Sequence, residues 1–97
     1  MPKFIIERDI PGSGALTKSS LQQIARRSCE AIREIGPDIQ WVQSYVTADK
    51  WYCVYIAKDE SLVREHGKRG GFPVDDVLEV MAVVDPADAE NIAELMR

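Results

Sequence analysis

The stretch that decides the fold is IQWVQSYVT (Ile39–Thr47), followed by ADK (Ala48–Lys50) and WYCVYIA (Trp51–Ala57). Both outer runs are dominated by β-branched and aromatic residues, and the interval between them is too short for anything but a reversal. They predict an antiparallel hairpin. With Ala48, Asp49 and Lys50 as the loop, Val46 would face Tyr52, Ser44 would face Val54, and Val42 would face Ile56. That register puts Val42, Ser44, Val46, Tyr52, Val54 and Ile56 on one sheet face and Trp41, Gln43, Tyr45, Trp51, Cys53 and Tyr55 on the other. A slip of one residue would exchange these sets between the faces.

Upstream, KFIIERD (Lys3–Asp9) reads as a first strand, closed by the loop signal Ile10-Pro11-Gly12-Ser13-Gly14. From an N-cap at Thr17 or Ser19, residues Leu21, Ile24, Ser28, Ile32 and Ile35 recur at helical spacing until Gly36-Pro37 stops the helix. Downstream, Asp59 caps a shorter helix from Glu60 to about Arg69, ended by Gly70-Gly71-Phe72-Pro73. Val77–Val84 reads as a fourth strand, and Asp85-Pro86 opens a terminal helix over 86–97. The order β-α-β-β-α-β predicts a single α+β domain over 1–97, of ferredoxin-like architecture. In it a four-stranded antiparallel sheet carries two helices on one face, and the C-terminal helix is an extension.

Ninety-seven residues suffice for one core and no more. The hydrophobic fraction of 45% excludes a disordered chain, and no apolar run approaches the ~20 residues of a membrane span. A net charge of −4 disfavours general attraction to nucleic-acid phosphates or anionic lipid. Neither nucleic acid nor a membrane is expected as a partner, and the cytoplasm is the expected location. Cys29 and Cys53 form no spaced motif and read as free thiols.

The expected open face would present Trp41, Trp51 and Tyr55, an apolar patch that a second copy of the chain would cover, so a homodimer is expected. His66, the single histidine, points by helix geometry toward the sheet. It reads either as an imidazole packed under the Gly70–Pro73 turn or as a metal ligand or acid–base group. Cys53, assigned to the opposite face, is then out of its reach within one chain. If Phe4 and Ile6 face the helices, Glu7 falls on the open face. Glu79 joins it there if Leu78, Val80, Ala82 and Val84 pack inward. Two such carboxylates repel unless a cation, Arg8 or a metal, lies between them. Added thiolate or imidazole would favour a borderline-soft divalent metal. Gly12-Ser13-Gly14 lacks the Lys-Ser/Thr of a phosphate loop, and KWYCVY (Lys50–Tyr55) lacks the glycines of an RNA-recognition strand.

MPKFIIERDIPG (Met1–Gly12), GPDIQWVQSYVT (Gly36–Thr47), DKWYCVYIA (Asp49–Ala57) and VREHGKRGGFPV (Val63–Val74), in this order, resemble the small bacterial ferredoxin-like proteins of the nickel-binding type, long catalogued as a domain of unknown function. The likeness runs from Met1 to about Pro86. It implies a ferredoxin-like fold, homodimerisation and a capacity for nickel or another divalent transition metal, without an established reaction. The polar residues inside the matching motifs are Glu7, Tyr45, Cys53, Glu65, His66 and Glu79. Of these, Glu7, Cys53, His66 and Glu79 are the expected metal ligands, and Tyr45 and Glu65 are further pocket residues. Gln43 stands where many relatives have His, which removes that imidazole from a site here. The leading expectation is a dimeric, nickel-binding, non-catalytic protein. The alternative is a dimeric α+β enzyme whose open sheet faces enclose a small organic substrate, with Tyr45, Cys53 or Glu7 moving the proton. A plain interaction module is the third.

Overall fold

The computed structural model describes residues 1–89. Strand β1 (Lys3–Asp9) leads through a short 3-10 turn at Ser13–Ala15 into helix α1 (Lys18–Ile35). The hairpin β2 (Ile39–Val46) and β3 (Lys50–Ala57) follows, then helix α2 (Glu60–Gly70) and strand β4 (Asp76–Val80). The strands form one four-stranded antiparallel sheet in the order β2-β3-β1-β4. This is the ferredoxin-like α+β arrangement expected from the sequence. No helix among the described residues is long and apolar enough to cross a membrane.

The helices form where the side chains supply their caps. Thr17 accepts the amide of Ser20 at the start of α1, and Asp59 accepts that of Leu62 at the start of α2. Gly36 ends α1, and Gly71 ends α2 at φ 71°, a left-handed conformation that costs an L side chain ~1–2 kcal/mol. One stripe of α1, with Leu21, Ile24, Ile32 and Ile35, lies on a core of Phe4, Ile6, Ile39, Trp51, Tyr55 and Val63.

The hairpin register differs from the expected one. Val46 pairs with Trp51, Tyr45 with Tyr52, Ser44 with Cys53 and Gln43 with Val54; a bulge at Val42 then brings Trp41 opposite Tyr55. The cause is the turn. The Thr47 amide donates to the Lys50 carbonyl at 2.8 Å and its hydroxyl to the same oxygen at 2.7 Å, so Thr47 and Lys50 close the reversal around Ala48-Asp49. The loop is one residue shorter than Ala48–Lys50, and the faces of β3 exchange. Trp51, Cys53 and Tyr55 are buried beneath the helices rather than displayed on the open face.

The open face instead holds Ile5 and Glu7 from β1, Gln43 and Tyr45 from β2, and Tyr52, Val54 and Ile56 from β3. The parity expected for β4 is also reversed. Val77 pairs with Ile6 and packs on the core, while Leu78 pairs with Ile5 and is exposed. The strand ends at Val80, and Met81, Val83 and Val84, expected to continue it, are exposed. A helical turn at 86–89 follows the Asp85 cap, whose carboxylate accepts the Ala87 amide at 2.8 Å. The remainder of the expected terminal helix lies outside the described residues.

Candidate functional site

The side chains that β1 and β3 point toward the helices do not fill the space beneath them. Between the sheet, α1 and the Gly71–Pro73 turn lies a cavity of about 330 Å³, at the small end of ligand pockets. Trp41, Trp51, Ile24 and Phe72 give it apolar walls, and Arg8, Arg27, Ser28, Cys53 and Tyr55 are among its polar lining residues. Arg8 follows Phe4 and Ile6 on the inward side of β1, so strand parity alone carries a guanidinium into the interior, where it is 2% exposed. It donates to the Pro73 carbonyl at 2.5 Å and to the Tyr55 hydroxyl at 3.3 Å. Its face lies 5.5 Å from the centre of the Phe72 ring, and exposed Arg27 lies 5.1 Å from the same ring. Among the described residues no carboxylate lies within ion-pair distance of Arg8.

Beside the cavity His66 is wholly buried. Its Nε2 lies 3.0 Å from Ser28 Oγ and 3.4 Å from the Ser28 carbonyl, and its Nδ1 has no partner. The ring is tilted against Tyr55 at 4.9 Å and stacked on Phe72 at 5.8 Å. Burial, and secondarily the positive charge of Arg8, push its pKa down to about 4, so the imidazole is neutral at pH 7. Burial pushes the Tyr55 phenol up to about 12, against the opposing pull of Arg8. Neither group is poised to exchange a proton near neutrality.

The expected site residues do not converge. Glu7 is on the open face, opposite Tyr52 on one side and Asp76 on the other. Glu79 pairs with Phe4 and belongs to the helix side, where it is exposed, so the expected meeting of Glu7 with Glu79 does not occur. The carboxylate beside Glu7 is Asp76. Lys50, whose pKa is raised chiefly by Asp9 and then by Glu7, supplies positive charge to that corner. Arg8, a possible partner for the two glutamates, faces away from Glu7 into the core.

Cys53 and His66 share the helix side, contrary to their expected separation by the sheet. Tyr45 is 56% exposed on the open face and accepts a hydrogen bond from Gln43 Nε2. Glu65 accepts from Arg69 Nε at 2.8 Å, and Arg69 also reaches Glu34 at 3.3 Å. Arg8, Ser28, Trp51 and Phe72 were not among the expected site residues. Arg8 carried a usable signal, because it has the same parity as Phe4 and Ile6. Ser28, a polar residue within the apolar stripe of α1, carried another.

Comparison with known proteins adds a family to this geometry. The model of the family described as "Nickel responsive protein SCO4226-like" matches residues 4–80, from β1 to the end of β4. The chain belongs to this family. A solved structure, that of SCO4226 from Streptomyces coelicolor A3(2), superposes with a TM-score of 0.72 at 16% identity, covering 84% of this chain and 99% of that one. At that identity the likeness speaks for the fold. No match is found among curated proteins.

The family description makes nickel the metal against which to test these residues. Within one chain they do not fit it: among the described residues no three His, Cys, Asp or Glu side chains come together as a metal site. His66 retains an unpartnered Nδ1 for a ligand, but the two rings packed on it and its burial leave no second donor of that kind beside it.

Proposed function

We propose that this member of the nickel-responsive family is a non-catalytic, cytoplasmic homodimer that binds nickel through ligands drawn from both copies. The observation that carries the reading is the family match over the whole sheet-and-helix domain. Because one chain gathers no ligand cluster among its described residues, a second copy is the natural source of the missing donors. The open sheet face supports such pairing. Exposed Tyr45 and Leu78 and half-buried Ile5, Tyr52, Val54 and Ile56 make it apolar, and the Glu7 and Asp76 carboxylates adjoin that patch. Carboxylates crowded at a twofold junction repel one another, and a divalent cation offsets that repulsion.

Tag-free protein titrated with nickel, with mass followed by light scattering, tests the reading. Saturable binding by a dimer, weakened in Glu7→Gln, supports it. A monomer of about 11 kDa at micromolar concentration, or no nickel uptake by the wild type, overturns it. The cavity described above lies under the helices and not on the open face, where the enzymatic alternative expects its pocket.

A further inference from the structure

Arg8 presents an unbalanced charge. Its guanidinium is buried, its protein partners are a carbonyl, a phenol and an aromatic ring, and no carboxylate among the described residues neutralises it. A buried cation in such neutral company is costly unless an anion completes it. The guanidinium has five N–H donors in a planar fork, and its two hydrogen bonds here leave capacity for an acceptor. It also lines a cavity. Two other polar features of that cavity agree in sign: Arg27 brings a second positive charge, and Trp51, in the wall, has a buried indole Nε1–H without a partner. Asp9, the one lining carboxylate, is exposed and pairs with Lys50 at 3.6 Å. The rest of the lining is largely apolar and aromatic.

We propose that this cavity binds a small organic carboxylate, with its anionic head at Arg8 and Arg27 and its apolar body between Trp41, Trp51 and Phe72. Two requirements act together. The arginines select for the anion through charge-assisted, planar hydrogen bonding, and the aromatic walls select for a ligand with a flat or compact hydrocarbon part. A bare inorganic anion would leave the apolar walls unmatched, and a neutral isostere would leave Arg8 uncompensated. The site is on the face of the sheet opposite Glu7, Tyr45 and Asp76, so it stands independently of nickel binding.

Both tryptophans of the chain line the cavity, which makes intrinsic fluorescence a direct reporter. Full-length, tag-free protein freed of metal with a chelator is titrated with sodium benzoate, sodium phenylacetate, sodium acetate and benzamide at constant ionic strength. The expected result is a saturable fluorescence change and a raised melting temperature with benzoate or phenylacetate. Binding should be at least about tenfold weaker for acetate, which lacks the ring, and for benzamide, which lacks the charge. Arg27→Gln, at an exposed position, should fold normally and weaken benzoate binding several-fold. Arg8→Lys keeps the charge but loses the fork, and should weaken it further while circular dichroism remains native. No saturable response to benzoate or phenylacetate in the wild type overturns the proposal, as does a benzamide response equal to that of benzoate. Unchanged benzoate binding in Arg27→Gln together with a folded Arg8→Lys overturns it also.

Discussion

His66 shows how one buried side chain ties stability to pH. Its folded-state pKa of about 4 lies below the usual 6.5, so between these values the unfolded chain holds a proton that the folded chain does not. The stability contributed by the neutral, packed imidazole is therefore present above about pH 6.5 and is lost as pH falls toward 4. The shift corresponds to about 3 kcal/mol at most, taking ~1.36 kcal/mol per pH unit. In His66→Gln the loss of stability between pH 7 and pH 4 should be shallower than in the wild type, as read by urea unfolding at a series of pH values. Equal slopes would show that His66 does not drive the effect.

Gly71 and Gly70 test the turn beneath His66 in different ways. At Gly71, φ is +71° and an added Cβ meets nothing within 4 Å, so Gly71→Ala should cost only the left-handed penalty of ~1–2 kcal/mol. At Gly70 an added Cβ would clash with the Phe72 ring. Gly70→Ala should therefore displace Phe72 and perturb the near-ultraviolet circular dichroism of the aromatic cluster, which Gly71→Ala should leave in place.

At the level of elements, β3 gives the sharpest check of the register. Cys53 is buried in the core and its neighbour Val54 is half-exposed on the open face. Cys53→Lys should abolish cooperative unfolding by placing an unpaired charge in the core, whereas Val54→Lys should remain folded. The reverse outcome would restore the register read from the sequence. The termini of α1 and α2 were legible because Thr17, Gly36, Asp59 and Gly71 are strong local signals whose effects do not depend on distant residues. The faces of the hairpin were not. They depend on whether Thr47 lies inside the reversal or ends a strand, and that is decided by its hydroxyl bond to Lys50, which leaves no mark in the hydrophobic pattern. The same slip misplaced the candidate site. Once Trp51, Cys53 and Tyr55 are moved across the sheet, the aromatic face expected to pair two copies becomes the wall of a cavity within one.

For the molecule as a whole, the exchanged faces change which residue should control the proposed pairing of two copies. Trp51 is in the core, so Trp51→Glu would unfold the protein rather than separate two copies. Ile56 is half-exposed on the open face and pairs with Lys3 and Gln40 at its flanks. Ile56→Glu should shift the mass seen by light scattering toward a monomer of about 11 kDa while leaving the melting of the monomeric fold nearly unchanged. If the wild type is a dimer and this variant remains one, the contact is not on the open face.

The segment from Ile10 to Gly14 has the composition of a pliant connection, yet it is laced to the tip of the hairpin. The Ile10 amide donates to the Asp49 carbonyl at 3.0 Å, Gly12 to the Asp49 carboxylate at 2.9 Å, Gly14 to the Ala48 carbonyl at 3.0 Å, and the Ser13 hydroxyl to the Thr47 carbonyl at 2.8 Å. Ile10 and Pro11 also border the cavity. Its rim on that side is riveted to the sheet and cannot swing aside without unzipping the hairpin tip. Phe72 and Pro73 also line the cavity, and their hold on the sheet includes the bond from Arg8 to the Pro73 carbonyl. The guanidinium proposed to hold an anion is thus also a tie on that wall, so both duties fall to one side chain.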